Sequence, residues 1–114
     1  MLVSNLELLH HIQDEVDFVL LATNNKTKDE VINDAVLSRA VIRSLEIIGE
    51  ATKKLDDEFK AKHPGVEWSK MAKTRDRLIH DYFGVNYDII WDIIQNKLPD
   101  LQSYITNILK ETGL

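Results

Sequence analysis

The segment with the clearest chemical potential in this 114-residue chain is Arg75-Asp76-Arg77-Leu78-Ile79-His80-Asp81-Tyr82. Histidine titrates near neutral pH, so His80 can accept or donate a proton during a reaction. Arginine is permanently charged and presents a planar fork of donors that fits phosphate or carboxylate. Tyr82 adds a phenol hydroxyl two residues after the histidine. The segment therefore carries the groups needed for acid–base chemistry beside an anion.

Length and composition limit what kind of protein carries this segment. A chain of 114 residues fits one domain, which we expect to span residues 1–114. The absence of cysteine excludes disulfides and thiol nucleophiles. No stretch reaches the ~20 consecutive apolar residues of a membrane span, and the N-terminus lacks the basic start of a secretory signal. We expect a soluble, cytoplasmic protein that does not engage a membrane.

The charge of the chain is unevenly distributed. Nineteen acidic and 14 basic residues give a net charge of −5, which argues against a nucleic-acid partner for the chain as a whole. The stretch from Lys53 to Arg77 holds eight basic and five acidic residues, so it is +3 and the remainder is −8. Two interpretations remain open for this stretch: a locally basic surface for phosphate, or an ordinary solvated helix face.

The sequence predicts an all-α protein. Glycine and proline are scarce, which favours long helices. Ser4 with Glu7 and Thr27 with Glu30 have the spacing of capping boxes. Pro99 predicts a kink or a restart in the last helix. We expect an up-and-down four-helix bundle with a kinked or split last helix, its helices covering Leu6–Ala22, Val31–Phe59, Trp68–Tyr82 and the chain after the cap Asn86.

Gly49 interrupts the second predicted helix without ending it. A glycine inside a helix costs about 1 kcal/mol relative to alanine, and close approach of another backbone is one reason to keep it. Ile42 lies near Gly49 on the helical wheel. The two residues indicate a second contact face on this helix, with another subunit as one candidate partner.

Arg75 occupies the middle of the most apolar face of the third predicted helix, within about 60° of Met71 and Leu78. Because an unpaired buried charge is expensive, two explanations remain open. Either Arg75 forms an ion pair, with Glu46 or Glu50 as candidates, or its face opens onto a cleft. His80 lies about 140° from Arg75, so cooperation between them requires a distorted helix end or a second subunit.

The spacing of Arg75, His80 and Tyr82 resembles the Arg-x4-His-x-Tyr motif of the HepT-like toxins, which belong to the HEPN superfamily. Ile48-Gly49-Glu50-Ala51, Trp68 and the segment Asp81-Tyr82-Phe83-Gly84-Val85 with Trp91 also resemble this family, over about Arg39 to Leu109. One departure is Asp76, which stands where the family usually has asparagine and places a negative charge beside the motif.

The resemblance implies a HEPN-like fold and a metal-independent endoribonuclease that needs no cofactor and acts on RNA. His80 would be the general base or acid, and Arg75 would hold the scissile phosphate. Asp76, Glu46 and Glu50 are candidate supporting residues. In this superfamily the motifs of two subunits typically meet in a dimer cleft, so the resemblance also implies a homodimer.

For Tyr82 the resemblance implies a regulatory role. HepT-like proteins are toxins of type VII toxin–antitoxin systems, in which a cognate minimal nucleotidyltransferase antitoxin (MntA-like) transfers AMP to the corresponding tyrosine. Added phosphate and bulk at that position would exclude RNA from the site. The alternative for Tyr82 is an ordinary core tyrosine at the rim of the bundle.

Two other functions compete with the nuclease. One is a non-catalytic HEPN domain that binds nucleotides or docks onto a nucleotidyltransferase, an alternative favoured by the negative net charge and by Asp76. The other is a di-iron site, because Glu7 and His10 have the Glu-x-x-His spacing of such bundles. The sequence holds no second motif of this kind, so we expect no metal.

Overall fold

The computed structural model describes residues 4–80 and 84–112, with only the backbone described for residues 79 and 80. Within these ranges the chain is all-α and has no strand, as predicted. A π-helical segment, Ile93–Lys97, joins the last two helices into one rod. The helices are α1 (Asn5–Ala22), α2 (Lys28–Asn33), α3 (Ala35–Lys54), α4 (Asp57–Lys62), α5 (Trp68–His80), α6 (Tyr87–Asp92) and α7 (Leu98–Glu111).

The fold is a helical bundle in which α3 is the central rod. It packs against both α1 and α5, and α7 packs against α1. Each rod contributes apolar residues at helical spacing, as expected for a buried stripe. No described helix has the length and apolar character to cross a membrane. The most deeply buried large side chains are Leu9, Ile12, Val16 and Val19 of α1, Val41 of α3, Ile94 of the π-helical segment and Ile105 of α7.

The helix predicted over Val31–Phe59 is wrong as one element, because the chain divides it at Asp34 and again at Leu55. Asp34 adopts an extended conformation (φ −88°, ψ 105°), and its carboxylate accepts hydrogen bonds from the first amides of α3. Aspartate favours this capping role over a helix interior. At the second break Leu55 is extended and buried, and Asp56 exchanges hydrogen bonds with Asn5 at the start of α1.

Three predicted helix starts are confirmed by their hydrogen bonds. The Ser4 hydroxyl accepts from the Glu7 amide at 3.1 Å. Thr27 and Glu30 form a complete capping box. The Asn86 side chain accepts from the two amides that follow at the start of α6. These caps satisfy amides that have no partner inside the helix.

The restart predicted at Pro99 is also confirmed, and the π-helical segment explains how the rod continues through it. Proline has no N–H, and its ring clashes with the carbonyl four residues earlier. The chain widens before the proline: the Leu98 amide donates to the Ile93 carbonyl, five residues back. Pro99 then lies in the first turn of α7, where a missing donor is harmless.

Gly49 lies where α3 and α5 approach most closely. A Cβ atom at this position would overlap the Cβ of Arg75 and would lie 3.1 Å from the Met71 carbonyl oxygen. The predicted close approach is therefore confirmed, but α5 of the same chain makes it. Another subunit is not needed to explain this glycine.

Substitution of Gly49 by alanine tests this packing. Alanine gains about 1 kcal/mol in helix propensity, but overpacking against α5 typically costs about 1–3 kcal/mol. We expect Gly49→Ala to lower the free energy of unfolding by about 1–2 kcal/mol, measured by urea denaturation. Gly84→Ala is the control, since a Cβ there meets no atom of residues 4–80 and 84–112 within 4 Å. Unchanged or increased stability of Gly49→Ala would contradict the close packing.

Candidate active site

The residues of the candidate site lie on α5, which is fixed at both its start and its middle. Trp68, the first residue of α5, is buried, and its indole N–H donates to the His63 carbonyl at 2.9 Å. Farther along, the backbone at Met71 and Arg75 meets Gly49 of α3. The helix is thus held as a rigid support, which is what precise placement of a functional side chain requires.

Arg75 forms an ion pair with Glu50 of α3, one of its two candidate partners. The distance from Arg75 Nε to Glu50 Oε2 is 2.8 Å, and Arg75 Nη1 lies 3.4 Å from Asp76 Oδ1. The other candidate, Glu46, instead lies 3.3 Å from Arg43 on its own helix. Arg75 is therefore paired, as the first explanation requires, and its side chain is 29% exposed at the surface.

Two lysines extend this pair into a cluster of alternating charge. Lys54 Nζ lies 3.6 Å from Glu50, and Lys53 Nζ lies 3.5 Å from Asp76. Three cations therefore surround two carboxylates, and the cluster keeps a net positive charge. We call these five residues the Arg75 cluster. Both lysines belong to the basic stretch of the sequence, but their place beside Arg75 was not predicted, although they follow Glu50 at the three- and four-residue spacings that favour contact along a helix.

The ion pairs of Arg75 with Glu50 and Asp76 are weak enough for the guanidinium to bind another anion. Glu50 and Asp76 are more than 40% exposed, and ion pairs at such positions are typically worth no more than about 1 kcal/mol. The carboxylates can therefore orient the guanidinium without locking it. An incoming phosphate can replace one of them because arginine binds phosphate in the same forked geometry. The cluster is suited to receiving an anion at the surface of α5.

The structure describes the remaining motif residues, His80, Asp81 and Tyr82, only in part. His80 is the last residue of α5, and its backbone continues the helix from Arg75. Its side chain lies outside the described residues, as do Asp81 and Tyr82. The positions of the imidazole and the phenol relative to Arg75 therefore stay predictions.

The di-iron alternative gains no support from the described residues. Among them, no group of three or more His, Cys, Asp or Glu side chains could hold a metal ion. Glu7 takes part in the cap of α1, where its carboxylate accepts from the Ser4 hydroxyl at 3.3 Å. His10 is exposed on the same helix.

Comparison with known proteins assigns the family. The model of the ribonuclease HepT-like family matches residues 9–108, which include the whole motif. This chain belongs to that family. The resemblance read from Arg75, His80 and Tyr82 is thus confirmed at the family level, and the predicted enzyme class agrees with the family's name.

Individual relatives are similar over nearly their whole length. A candidate RNase from Methanocaldococcus jannaschii is 49% identical over 105 residues, 92% of this chain and 84% of the relative. A candidate RNase from Caldanaerobacter subterraneus is 46% identical over 90% of this chain and 92% of its own. A ribonuclease HepT candidate from Thermococcus cleftensis is 35% identical over 94% of this chain and 97% of the relative. No solved structure matches the chain.

In this HepT-like chain the Arg75–Glu50 pair orients a side chain more than it stabilises the fold. We expect Glu50→Gln to change the free energy of unfolding by less than about 1 kcal/mol, because exposed ion pairs contribute little. Glu46→Gln is the matched control, since it breaks the pair with Arg43 on the same helix. Denaturation in urea measures both. A loss beyond about 2 kcal/mol for Glu50→Gln alone would make the pair a structural element.

Proposed function

We propose that the protein is a metal-independent endoribonuclease in which Arg75 and His80 perform the cleavage. The observation that carries this proposal is the state of Arg75: a part-exposed guanidinium, held by weak carboxylate partners, five residues before His80 on a helix of a HepT-like chain. The surrounding lysines of the Arg75 cluster favour an anionic substrate.

The proposed reaction uses the 2′-hydroxyl of RNA as the nucleophile. His80 takes the proton of the hydroxyl, and the 2′-oxygen forms a bond to phosphorus while the bond from phosphorus to the 5′-oxygen breaks. Protonated imidazole can then return the proton to the departing 5′-oxygen. Arg75 holds the phosphate and stabilises the negative charge that grows on its oxygens. DNA lacks the 2′-hydroxyl and is not a substrate in this mechanism.

We further propose that the site is composite and belongs to a homodimer. Arg75 and His80 are separated by about 140° around an ideal helix, so one straight helix does not aim both at the same phosphate. A second subunit brings a second copy of each residue and removes this conflict. Sedimentation at micromolar concentration tests the assembly, and a purely monomeric mass would contradict it.

The proposed biological role is that of a toxin in a type VII toxin–antitoxin system. A cognate nucleotidyltransferase antitoxin transfers AMP from ATP to the Tyr82 hydroxyl: the phenol oxygen bonds to the α-phosphorus, and pyrophosphate leaves with the proton lost to solvent. Tyr82 is two residues beyond His80, so the added phosphate lies near the cleavage site in sequence. Its negative charge and bulk would oppose binding of an RNA phosphate.

The nuclease proposal predicts that cleavage of single-stranded RNA by the AMP-free protein persists in EDTA. We expect His80→Ala to lower the cleavage rate by about 10²–10⁴-fold, the usual contribution of a general acid–base group. Loss of transition-state charge stabilisation should make Arg75→Ala slower by about 10²–10³-fold. Gel analysis of labelled RNA measures both rates, with circular dichroism to verify that helicity is retained.

The controls for this assay separate chemistry from folding. Arg43→Ala removes an arginine from the surface of α3 outside the Arg75 cluster, and we expect it to cleave as the wild type does. A DNA oligonucleotide of the same sequence should stay intact. A wild-type protein that is free of AMP and yet inert towards all RNA would overturn the nuclease proposal.

Modification of Tyr82 is tested by co-expression with the protein encoded by the neighbouring gene. We expect intact-mass spectrometry to find one or more adenylyl increments on the wild type and peptide mapping to assign them to Tyr82. Tyr82→Phe should remain unmodified, whereas Tyr104→Phe, which removes a hydroxyl on α7, should be modified like the wild type. Absence of any increment with an ATP-competent nucleotidyltransferase would contradict the proposed regulation.

A second candidate function is a non-catalytic domain that binds nucleotides or docks onto a nucleotidyltransferase. It is favoured by the net charge of −5 and by the two carboxylates already paired with Arg75. The cleavage assay discriminates between the two functions, since a docking domain leaves RNA intact in every variant.

A further inference from the structure

A groove lies between α3, α5 and the C-terminal rod that α6, the π-helical segment and α7 form. Its volume is about 490 Å³, which falls within the range of small-ligand sites. The π-helical segment and the start of α7 form the opposite wall. The floor is apolar and reaches the core, since Leu45 and Ile48 of α3 line it and are each only 3% exposed. A polar ligand without an apolar face would leave this floor unfilled.

Cationic side chains line the groove on both sides. Lys70, Lys73 and Arg77 line it from α5, and Lys97 lines it from the π-helical segment. Lys70 is engaged by Glu67 at 3.0 Å. Within residues 4–80 and 84–112, Lys73 and Lys97 make no ion pair with a carboxylate. These two lysines are therefore available to a ligand anion.

Lys97 lines the groove across from α5, and its charge reaches Glu67, the residue before α5. The pKa of Glu67 is lowered by its hydrogen bond from Lys70 and then by the charges of Lys70 and Lys97. Lys97 therefore acts on the first turns of α5 from across the groove. Three carboxylates, Glu67, Asp92 and Asp100, also line the groove, two of them on the wall that carries Lys97. Asp92 accepts a hydrogen bond from Asn96 at 2.6 Å. The three carboxylates limit the net positive charge and would disfavour a long run of phosphates.

The combination of an apolar floor with a cationic rim matches one class of ligand. A nucleobase has a flat, apolar face, and the attached phosphate carries the charge. Single-stranded RNA is recognised in this way, with unstacked bases inserted against apolar side chains and the backbone held by Lys and Arg. A duplex cannot insert a base without unpairing it, so a site of this shape favours a single strand.

The groove also has a suitable position relative to the proposed chemistry. On an ideal wheel, Lys73 and Arg77 lie about 160° and 200° from Arg75, and His80 follows at about 140°. The ideal wheel therefore predicts His80 on the same side of α5 as Lys73 and Arg77. An RNA strand that leaves the groove along this helix reaches the end of α5, where the motif lies.

We propose that the groove between α5 and the π-helical segment binds one nucleotide of single-stranded RNA, with its base on the floor of Leu45 and Ile48 and its phosphate between Lys73 and Lys97. This subsite rests on the proposed ribonuclease function and adds to it the substrate class and a contact beyond the scissile phosphate. The ligand is a nucleotide within a strand, bound outside the Arg75 cluster.

The test measures binding separately from cleavage. The probe is a fluorescein-labelled oligoribonucleotide whose riboses are all 2′-O-methylated, so it has no nucleophile and cannot be cut. Fluorescence anisotropy gives its affinity for the wild type and for the double variant Lys73→Ala/Lys97→Ala. The control is Lys26→Ala/Lys110→Ala, which removes the same charge from exposed positions that do not line the groove.

We expect the groove variant to bind at least about 10-fold more weakly than the control, with a shallower salt dependence because fewer counterions are released. A second variant, Ile93→Trp, fills the groove with an aromatic ring without changing charge, and it should also lose affinity while keeping its helicity. If both variants bind the probe like the control, the proposed subsite is wrong.

Two further measurements distinguish an RNA strand from a free mononucleotide and from a second copy of the chain. AMP and UMP are added as competitors, and displacement of the probe by a mononucleotide at equal concentration would overturn the assignment to RNA. Sedimentation of the same variants should give the wild-type mass. A groove variant that changes assembly and not RNA affinity would assign the groove to a second copy of the chain and would also overturn the proposal.

The subsite and the nuclease can fail independently. Lysine-dependent binding of the uncleavable probe by a protein that never cuts RNA would refute the proposed function and support the groove. Cleavage that depends on His80, together with unchanged binding in both groove variants, would support the function and refute the groove.

Discussion

The contact between Gly49 of α3 and the backbone of α5 is the constraint on which the candidate site depends. A side chain at that position would overlap Arg75, so α5 can lie against α3 at this distance only because the residue is glycine. The same contact brings Arg75 beside Glu50, the next residue of α3. One missing Cβ therefore sets both the packing of the two helices and the partner of the candidate phosphate-binding residue.

This arrangement settles why an arginine lies on the apolar face of its helix. Full burial of an unpaired guanidinium would be prohibitive, and a fully buried pair would hold the charge too firmly to release it. Arg75 lies between these limits, with its stem against α3 and its head shared between Glu50 and Asp76. The guanidinium of Arg75 therefore remains partly exposed and weakly paired, and the fold loses little stability by holding it there.

The sequence predicted those elements whose causes are local. Ser4, Thr27 and Asn86 cap helices through contacts within three residues, and Pro99 disturbs its helix through its own ring. The second helix was predicted as continuous because its apolar stripe continues across both breaks. The break near Leu55 depends on hydrogen bonds between Asp56 and Asn5, 51 residues away, which periodicity does not contain.

The site was predictable to a similar extent. The motif indicated α5 as the candidate functional helix, and the wheel identified Arg75 as the residue in need of a partner. It could not choose between Glu46 and Glu50, because both face the same side of α3 one turn apart. The packing of α3 against α5 decides between the two glutamates. Glu46 pairs with Arg43, and the close contact at Gly49 brings Arg75 of α5 beside the neighbouring Glu50. The groove escaped prediction for the same reason, since its walls come from α3, α5 and the C-terminal rod.

The two faces of α5 also resolve the conflict between an acidic protein and an RNA substrate. The net charge of −5 is an average, and long-range repulsion between exposed charges is screened beyond about 8–10 Å at physiological salt. A bound nucleotide therefore experiences mainly the charges of its own site. On one face of α5 the Arg75 cluster is positive, and on the other Lys73 and Lys97 lie at the rim of an apolar groove. The widening that Pro99 imposes on the C-terminal rod occurs in the segment that carries Lys97. A backbone irregularity with a purely local cause thus lies in the segment that presents Lys97 to the groove beside α5.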